Sequence, residues 1–322
     1  MELPEQQPYN SAYSAPMAPV EFEPTKPEKV KSKKIRFLLG FLLGAIVVAG
    51  GLTWYVYQRP INDPVMRSVV NVLPYPALVI NGERVSIKEF LLEYDALSNF
   101  YQAQPEAPSE DELKVTVADT LVNKTILEQL SAKYGVSADD EQINLMMSEV
   151  AAAPGGEEAF AQQLADNFGW TMDDFRERVA KSLVLANQMT EFVGNNVDLQ
   201  QNRRTGIDQA QTRLAAGEDF AIVAGDLSED PSAKAGGDIG FVPLSEMVDP
   251  WLSAVVDLEV GEVSEIIESQ ENYMIFQVTD RIIKEEDEEI QMSVIVVNKV
   301  TLDEVVEEFL NNSEITRYLG KM

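Results

Sequence analysis

The two side chains that most often carry acid–base and metal chemistry are absent. The 322 residues include no histidine and no cysteine, against 54 Asp and Glu and 25 Lys and Arg. Without an imidazole, Ser-His-Asp hydrolysis, His-based metalloprotease chemistry and His phosphotransfer are excluded, since His is the usual general base near neutral pH and the commonest metal ligand. Without a thiol there is no cysteine nucleophile, Cys zinc site, iron–sulfur cluster or disulfide framework, so the chain can fold in an oxidising or a reducing compartment. The carboxylates show no metal-ligand spacing and no glycine-rich phosphate loop is present, so neither cofactor nor metal is expected. A net charge of −29 argues against nucleic acid as partner, because a phosphate backbone is bound by clustered cations that release its counterions.

The charge is unevenly placed. Met1–Arg36 has a net of +1, with Lys26, Lys29, Lys31, Lys33, Lys34 and Arg36 as its six cations, and the other 286 residues hold −30. Between them Phe37–Tyr57 is an uncharged run of 21 residues that spans about 31 Å as a helix, the hydrocarbon thickness of a bilayer. A cleaved signal peptide has a shorter apolar region, and this run leads into Trp54, Tyr55 and Tyr57, aromatics suited to the membrane interface. The expectation is a single-pass inner-membrane helix contacting the bilayer through Phe37–Tyr57, with the cations holding the N-terminus in the cytoplasm and residues 59–322 outside. Gly40 and Gly44 form one GxxxG, a weak signal for dimerisation. The proline-rich tail 1–36 is expected to be disordered, and 58–76, with Pro60, Pro64 and Pro74, to be a linker.

Ala77–Ile80 followed by Asn81-Gly82 predicts a short strand and tight turn. Helix starts are signalled by Ser86…Glu89, Ser109…Glu112, Ser137, Gly155-Gly156 and Thr171…Asp174, and Gly135 suits a left-handed helix end. Phe90, Leu91, Tyr94, Leu97 and Tyr101, then Val117, Leu121, Ile126 and Leu130, then Phe175, Val179, Leu183, Ala186 and Met189 recur at helical spacing, most of them as core. The order "VINGERVSIKEF", "LVNKTILEQLSAKYGVSADDEQIN", "GGEEAFAQQLADNFGWTMDDFRERV" resembles the helical N-terminal chaperone domain of SurA-type and PpiD-type foldases. The resemblance implies an all-α domain over 77–200 that binds unfolded client chains.

Gln209–Ile282 carries Gly217-Glu-Asp-Phe220, Leu227-Ser-Glu-Asp-Pro-Ser232, Gly236-Gly-Asp-Ile-Gly240, Met247…Trp251 and Gly261-Glu-Val-Ser264. In that order they resemble the parvulin-type (PpiC, rotamase) peptidyl-prolyl isomerase domain. Rotation about an X–Pro bond crosses a barrier of about 20 kcal/mol set by amide resonance. No bond breaks, so the reaction needs an apolar socket for the ring and a polar set favouring the twisted carbonyl. The resemblance puts the socket on Ile239, Met247 and Trp251, with Trp in place of the family's Phe, and the polar set on Asp230 and Ser269. The two family histidines fall on Met274 and Val294.

No strand is readable in Asn195–Gly206, where the family's first strand would lie. The β-branched run Glu289–Val297 looks like that strand, and is expected to fill the centre of the sheet from the C-terminal side of the chain; a simple hairpin extension is the alternative. Thr301…Glu304 then caps a final amphipathic helix bearing Val305, Val306, Phe309 and Leu310, and Glu285–Glu289 is expected to be a solvated loop.

The expected fold class is therefore α+β: one transmembrane helix, an all-α domain, then a parvulin-like antiparallel sheet over 205–322 flanked by helices. The implied partners are unfolded or proline-containing polypeptides. Loss of both histidines points to weakened isomerisation, and a non-catalytic peptide-binding scaffold at the membrane surface is the alternative.

Overall fold

The computed structural model describes residues 32–102, 104–283 and 288–320, with side chains described from residue 41. The tail up to residue 31 and residues 284–287, which include Glu285, Glu286 and Asp287 of the acidic run, lie outside the described residues. The chain forms two units, Met1–Trp54 and Tyr55–Met322. Helix α1 (Ser32–Gln58) provides the described part of the first. By length and composition its window Phe41–Gln58 could cross a membrane, and Phe41, Leu42, Leu43, Ile46, Val47, Val48 and Trp54 are all exposed.

In the second unit, Tyr55 and Tyr57, read as interfacial aromatics, also have partners within the protein. Tyr55 donates to Asp63, Tyr57 donates to the Pro76 carbonyl at 2.9 Å, and Val56 between them is fully buried. The stretch expected as a linker contains helix α2 (Pro64–Val72), whose Met66 and Val70 are core. Its prolines are compatible with order because Pro64 occupies the first helical turn, where no amide is needed, and Asp63 accepts from the next two amides.

The expected strand and tight turn are β1 (Pro76–Ile80) and Asn81-Gly82, both residues at positive φ, and β2 (Glu83–Ser86) completes a hairpin. Then follow α3 (Ile87–Gln102), α4 (Glu110–Tyr134), α5 (Asp140–Ala152), α6 (Gly156–Phe168), α7 (Met172–Phe175), a π turn over Arg176–Ala180 and α8 (Lys181–Asn195). Ser109 and Glu112 close a reciprocal capping box, as do Thr171 and Asp174, and Gly135 ends α4 at φ 73°. Asp139 rather than Ser137 caps α5. Helix α9 (Val197–Ala215) occupies the stretch in which no strand is readable.

The sheet region comprises α10 (Phe220–Leu227), a 3-10 turn over Pro231–Ala235, β3 (Asp238–Pro243), α11 (Trp251–Val255), β4 (Ile267–Glu268), β5 (Asn272–Ile283) and β6 (Glu288–Asn298). Its antiparallel order is β3-β6-β5-β4, so β6 is both the hairpin partner of β5 and an interior strand, as expected for the run Glu289–Val297. Glu288 and Glu289, expected in a loop, belong to this strand.

Helix α12 (Leu302–Asn311) and β7 (Ile315–Arg317) correct the expected domain assignment. The expectation groups them with the sheet, but β7 pairs with β1, and Val305 and Leu319 are buried in the core formed by Phe90, Leu121, Ile126, Leu130 and Met189. The first domain is consequently not all-α, since it contains the three-stranded sheet β2-β1-β7. Strand β1 would otherwise leave a row of amides unpaired, and the returning chain satisfies them. Gln200 fixes the return, donating to the Val193 and Val300 carbonyls and accepting from the Val300 amide.

Candidate functional site

The residues expected to form a socket are brought together by the period of two along β5 and β6. Tyr273 and Ile275 of β5, with Ile295 and Val297 of β6, face α9 and α10 and pack on Ile207, Phe220 and Val223. Met274, Phe276 and Val278, with Met292, Val294 and Val296, face the other way and form a second core with Met247 and Val255. Ile239 of β3 packs on its edge. Trp251, at the start of α11 and 36% exposed, rests on Phe276 with ring centroids 5.2 Å apart and an interplanar angle of 58°. Ile239, Met247 and Trp251 thus line one face of the sheet. Phe276, whose only signal in the sequence is its alternation within β5, is the floor under the indole.

Met274 and Val294 lie beneath this face, each 2% exposed. Met274 is in register with Val296 and Val294 with Phe276, so the two are diagonal neighbours on adjacent strands. Where two imidazoles would need hydrogen-bond partners, the site has a thioether and an isopropyl group that need none.

The expected polar pair, Asp230 and Ser269, is not joined. Asp230 caps the 3-10 turn, accepting from the Ser232 amide at 2.8 Å and from the Ser232 hydroxyl. The Ser269 hydroxyl closes the turn before β5, accepting from the Asn272 and Glu271 amides and donating to the Asn272 side chain at 2.9 Å. Among the described residues no hydrogen bond links Asp230, Ser269 and the socket. The neighbours of Asp230 instead hold β6. The Ser228 hydroxyl accepts from the Val296 amide, the Glu229 amide donates to the Val296 carbonyl at 2.7 Å, and the Gly237 carbonyl accepts from the Val294 amide at 2.8 Å. These contacts extend the pairing of β6 beyond the end of β3. Gly237, at φ 84°, permits this approach, since a Cβ there would stand 2.6 Å from the Val294 carbonyl oxygen.

Two basic side chains that the sequence does not single out hold the surrounding frame. Arg281 donates to the carbonyls of Val255, Val256 and Leu258 at the end of α11. Lys299, 3% exposed, donates to Glu268 at 2.7 Å and to the Gly194 carbonyl, and lies 5.1 Å from the centre of the Tyr273 ring. Burial pushes the Tyr273 phenol above its usual range, and Glu268 adds to the rise. Neither has a readable signal, because a cation used internally looks in sequence like one used for solubility.

A second concave site lies in the helical region. A cavity of about 820 Å3 is bounded by α3, α4, the turn at Ala132–Ala138 and the segment from α7 to α8. Glu128 opens into it, and burial raises its carboxyl pKa; Lys124 and Lys181 oppose the rise while Glu83 and Glu89 add to it. No group of three or more Asp and Glu able to hold a metal ion occurs among the described residues.

Residues 190–280 match the family model of the PPIC-type PPIASE domain (Rotamase), and residues 28–189 match that of the SurA-like N-terminal domain. The first match ends before β6, so the strand inside the sheet lies beyond it. The foldase protein PrsA of Halalkalibacterium halodurans is 29% identical over 202 residues, 59% of this chain and 60% of that protein. The chaperone SurA of Thiobacillus denitrificans is 21% identical over 254 residues, 67% of this chain and 58% of that protein. The chain therefore spans 60% or less of the length of these two relatives. A crystal structure of peptidylprolyl isomerase (PrsA) from Bacillus anthracis is 19% identical, covering 60% of this chain and 84% of that one, with a TM-score of 0.20.

Proposed function

The chain belongs to the family of the SurA-like N-terminal domain and joins to it a PPIC-type PPIASE domain, and from that premise we propose that it is a membrane-anchored extracytoplasmic folding factor with weakened isomerase activity. The helical region holds unfolded polypeptide, and the Ile239, Met247 and Trp251 face receives a proline ring. The apolar helix α1 anchors the protein, with the basic residues before it retained in the cytoplasm.

The observation that carries the reading is the coexistence of an intact socket wall with an apolar interior beneath it. Trp251 packs on Phe276, so an aromatic surface remains for proline, while Met274 and Val294, to which the resemblance assigns the family's histidines, are buried in an apolar cluster. Binding of the ring needs only the wall. Acceleration needs groups that favour the twisted carbonyl over the planar one, and Asp230 and Ser269 are engaged in local turns. The same observation favours the scaffold reading if turnover is wholly absent.

The test pairs two assays on the full chain in neutral nanodiscs, namely isomerisation of an X–Pro peptide and suppression of client aggregation. Suppression with proline-peptide binding and slow turnover is expected, with binding reduced by Trp251→Ala. Turnover equal to that of a histidine-bearing parvulin, and lost on Trp251→Ala, would overturn the weakened catalysis. Saturable binding of one partner segment with neither activity would instead make the protein a scaffold.

A further inference from the structure

We infer that the cavity of the helical region takes a lysine or arginine side chain from an extended polypeptide, its cationic head meeting Glu128 and its aliphatic stem lying on the apolar wall. The inference rests on the reading of this region as a holder of unfolded chains, and adds to it a preference for which residues are held.

The cavity's own cations are engaged. Arg178 pairs with Glu93 at 2.6 Å and with Asp174 at 3.5 Å, Lys181 with Glu177 at 3.6 Å, and Lys124 with Glu89 at 3.7 Å. Glu128 keeps an exposed side chain and has neither an ion pair nor a hydrogen bond among the described residues, and the nearby Lys124 and Lys181 only partly offset the desolvation that raises its pKa. An arriving cation would supply an ion pair. Beside it Ala132, Val136, Ala138 and Leu185 form an apolar wall.

A wall of this kind in a cavity with an unpaired carboxylate suits a side chain that is apolar along its stem and charged at its tip, which describes lysine and arginine. An anionic ligand would meet six carboxylates against three cations, and a metal ion would find no ligand set among the described residues. The −30 borne outside the N-terminal tail attracts basic segments from a distance, and the cavity gives that attraction a contact.

The experiment uses the full chain in neutral nanodiscs and two short unfolded peptides that differ at one position, lysine in one and norleucine, its uncharged equivalent, in the other. Fluorescence anisotropy is expected to show the lysine peptide bound about threefold to fivefold more tightly, the range of a partly solvated ion pair. The difference should shrink between about 50 mM and about 500 mM salt. Glu128→Gln should abolish it, and Glu158→Gln, on the exposed first turn of α6, should leave it intact.

Equal binding of both peptides to the unaltered protein, which needs no variant to read, overturns the inference and leaves the chain-holding function standing. So does a lysine preference that survives Glu128→Gln. If neither peptide binds and aggregation is not suppressed, both readings fail together.

Discussion

The cavity of the helical region and the socket face of the sheet treat polar groups in opposite ways. In the cavity, carboxylates and cations line an open wall, and Glu128 is left without a partner among the described residues. Under the socket, the diagonal neighbours Met274 and Val294 are each 2% exposed and present no polar atom that needs satisfying. The cavity tolerates charge because water still reaches it, and a solvated carboxylate there stays charged without a partner. A closed interior does not tolerate it, since an unpaired buried polar group costs roughly 1–3 kcal/mol. The two regions therefore suggest different routes of change: the cavity can gain specificity one charge at a time, whereas the sheet could lose its polar support only by replacing both positions together.

The largest expected effect tests how tightly the sheet is closed. Gly237→Ala places a Cβ 2.6 Å from the Val294 carbonyl oxygen at a φ of 84°, and that oxygen belongs to a central strand that cannot move aside. The expected cost in urea unfolding is about 3 kcal/mol or more. Gly82→Ala has a similar φ of 87° but meets nothing within 4 Å, in the β1–β2 turn of the first domain. It should cost about 1 kcal/mol, from backbone strain alone. Equal costs at the two glycines would remove the contrast between a closely approached central strand and an open turn.

A second prediction sharpens the same contrast through chemistry. Met274→His and Val294→His should each destabilise the chain by about 2 kcal/mol, because a lone imidazole enters an apolar core. The double variant should cost less than the two singles together by about 1 kcal/mol, since residues on adjacent strands can then partner each other. Isomerisation of an X–Pro peptide should rise in the double variant and in neither single one. Strict additivity in urea titration would mean that the two positions do not communicate.

These positions also show where the sequence is legible. The β-branched run Glu289–Val297 identifies a strand, and the resemblance places it inside the sheet, where β6 lies. Capping residues locate the helix starts because their signal is local: Ser109 needs only Glu112 three residues on. The destination of a helix is not local. The apolar face of α12 is visible in Val305, Val306, Phe309 and Leu310, yet nothing in that spacing distinguishes the sheet's core from the core around Phe90 that it covers. Helix α2 is hidden by its prolines, although Asp63 followed by Pro64 is a sound helix start. In the candidate site, the apolar wall can be placed by resemblance. The hydrogen bonds that commit Asp230 and Ser269 to their own turns depend on backbone conformation, and residue type alone does not show them.

The smallest expected effect belongs to the helical side and concerns acid. Ser109→Ala removes the hydroxyl that accepts from the Glu112 amide and donates to its carboxylate, at an expected cost of about 1 kcal/mol near neutral pH. The Ser109 hydroxyl, and then the Ser109 amide, hold the Glu112 pKa below its usual range in the folded chain. A carboxylate with a depressed folded-state pKa contributes stability that is fully present above its unfolded value and disappears as the pH falls through the folded value. The alanine variant keeps the amide and loses the hydroxyl, so its Glu112 moves back toward the ordinary carboxylate range. The gap in Tm between the two proteins should therefore narrow as the pH drops from about 7 to about 3. A gap that stays constant would assign the whole effect to the hydroxyl's bond to the Glu112 amide, with no contribution from the charge of Glu112. For the socket side the same titration is a control: Met274 and Val294 exchange no proton, so Met274→Ala should shift Tm by an amount that does not change over this range.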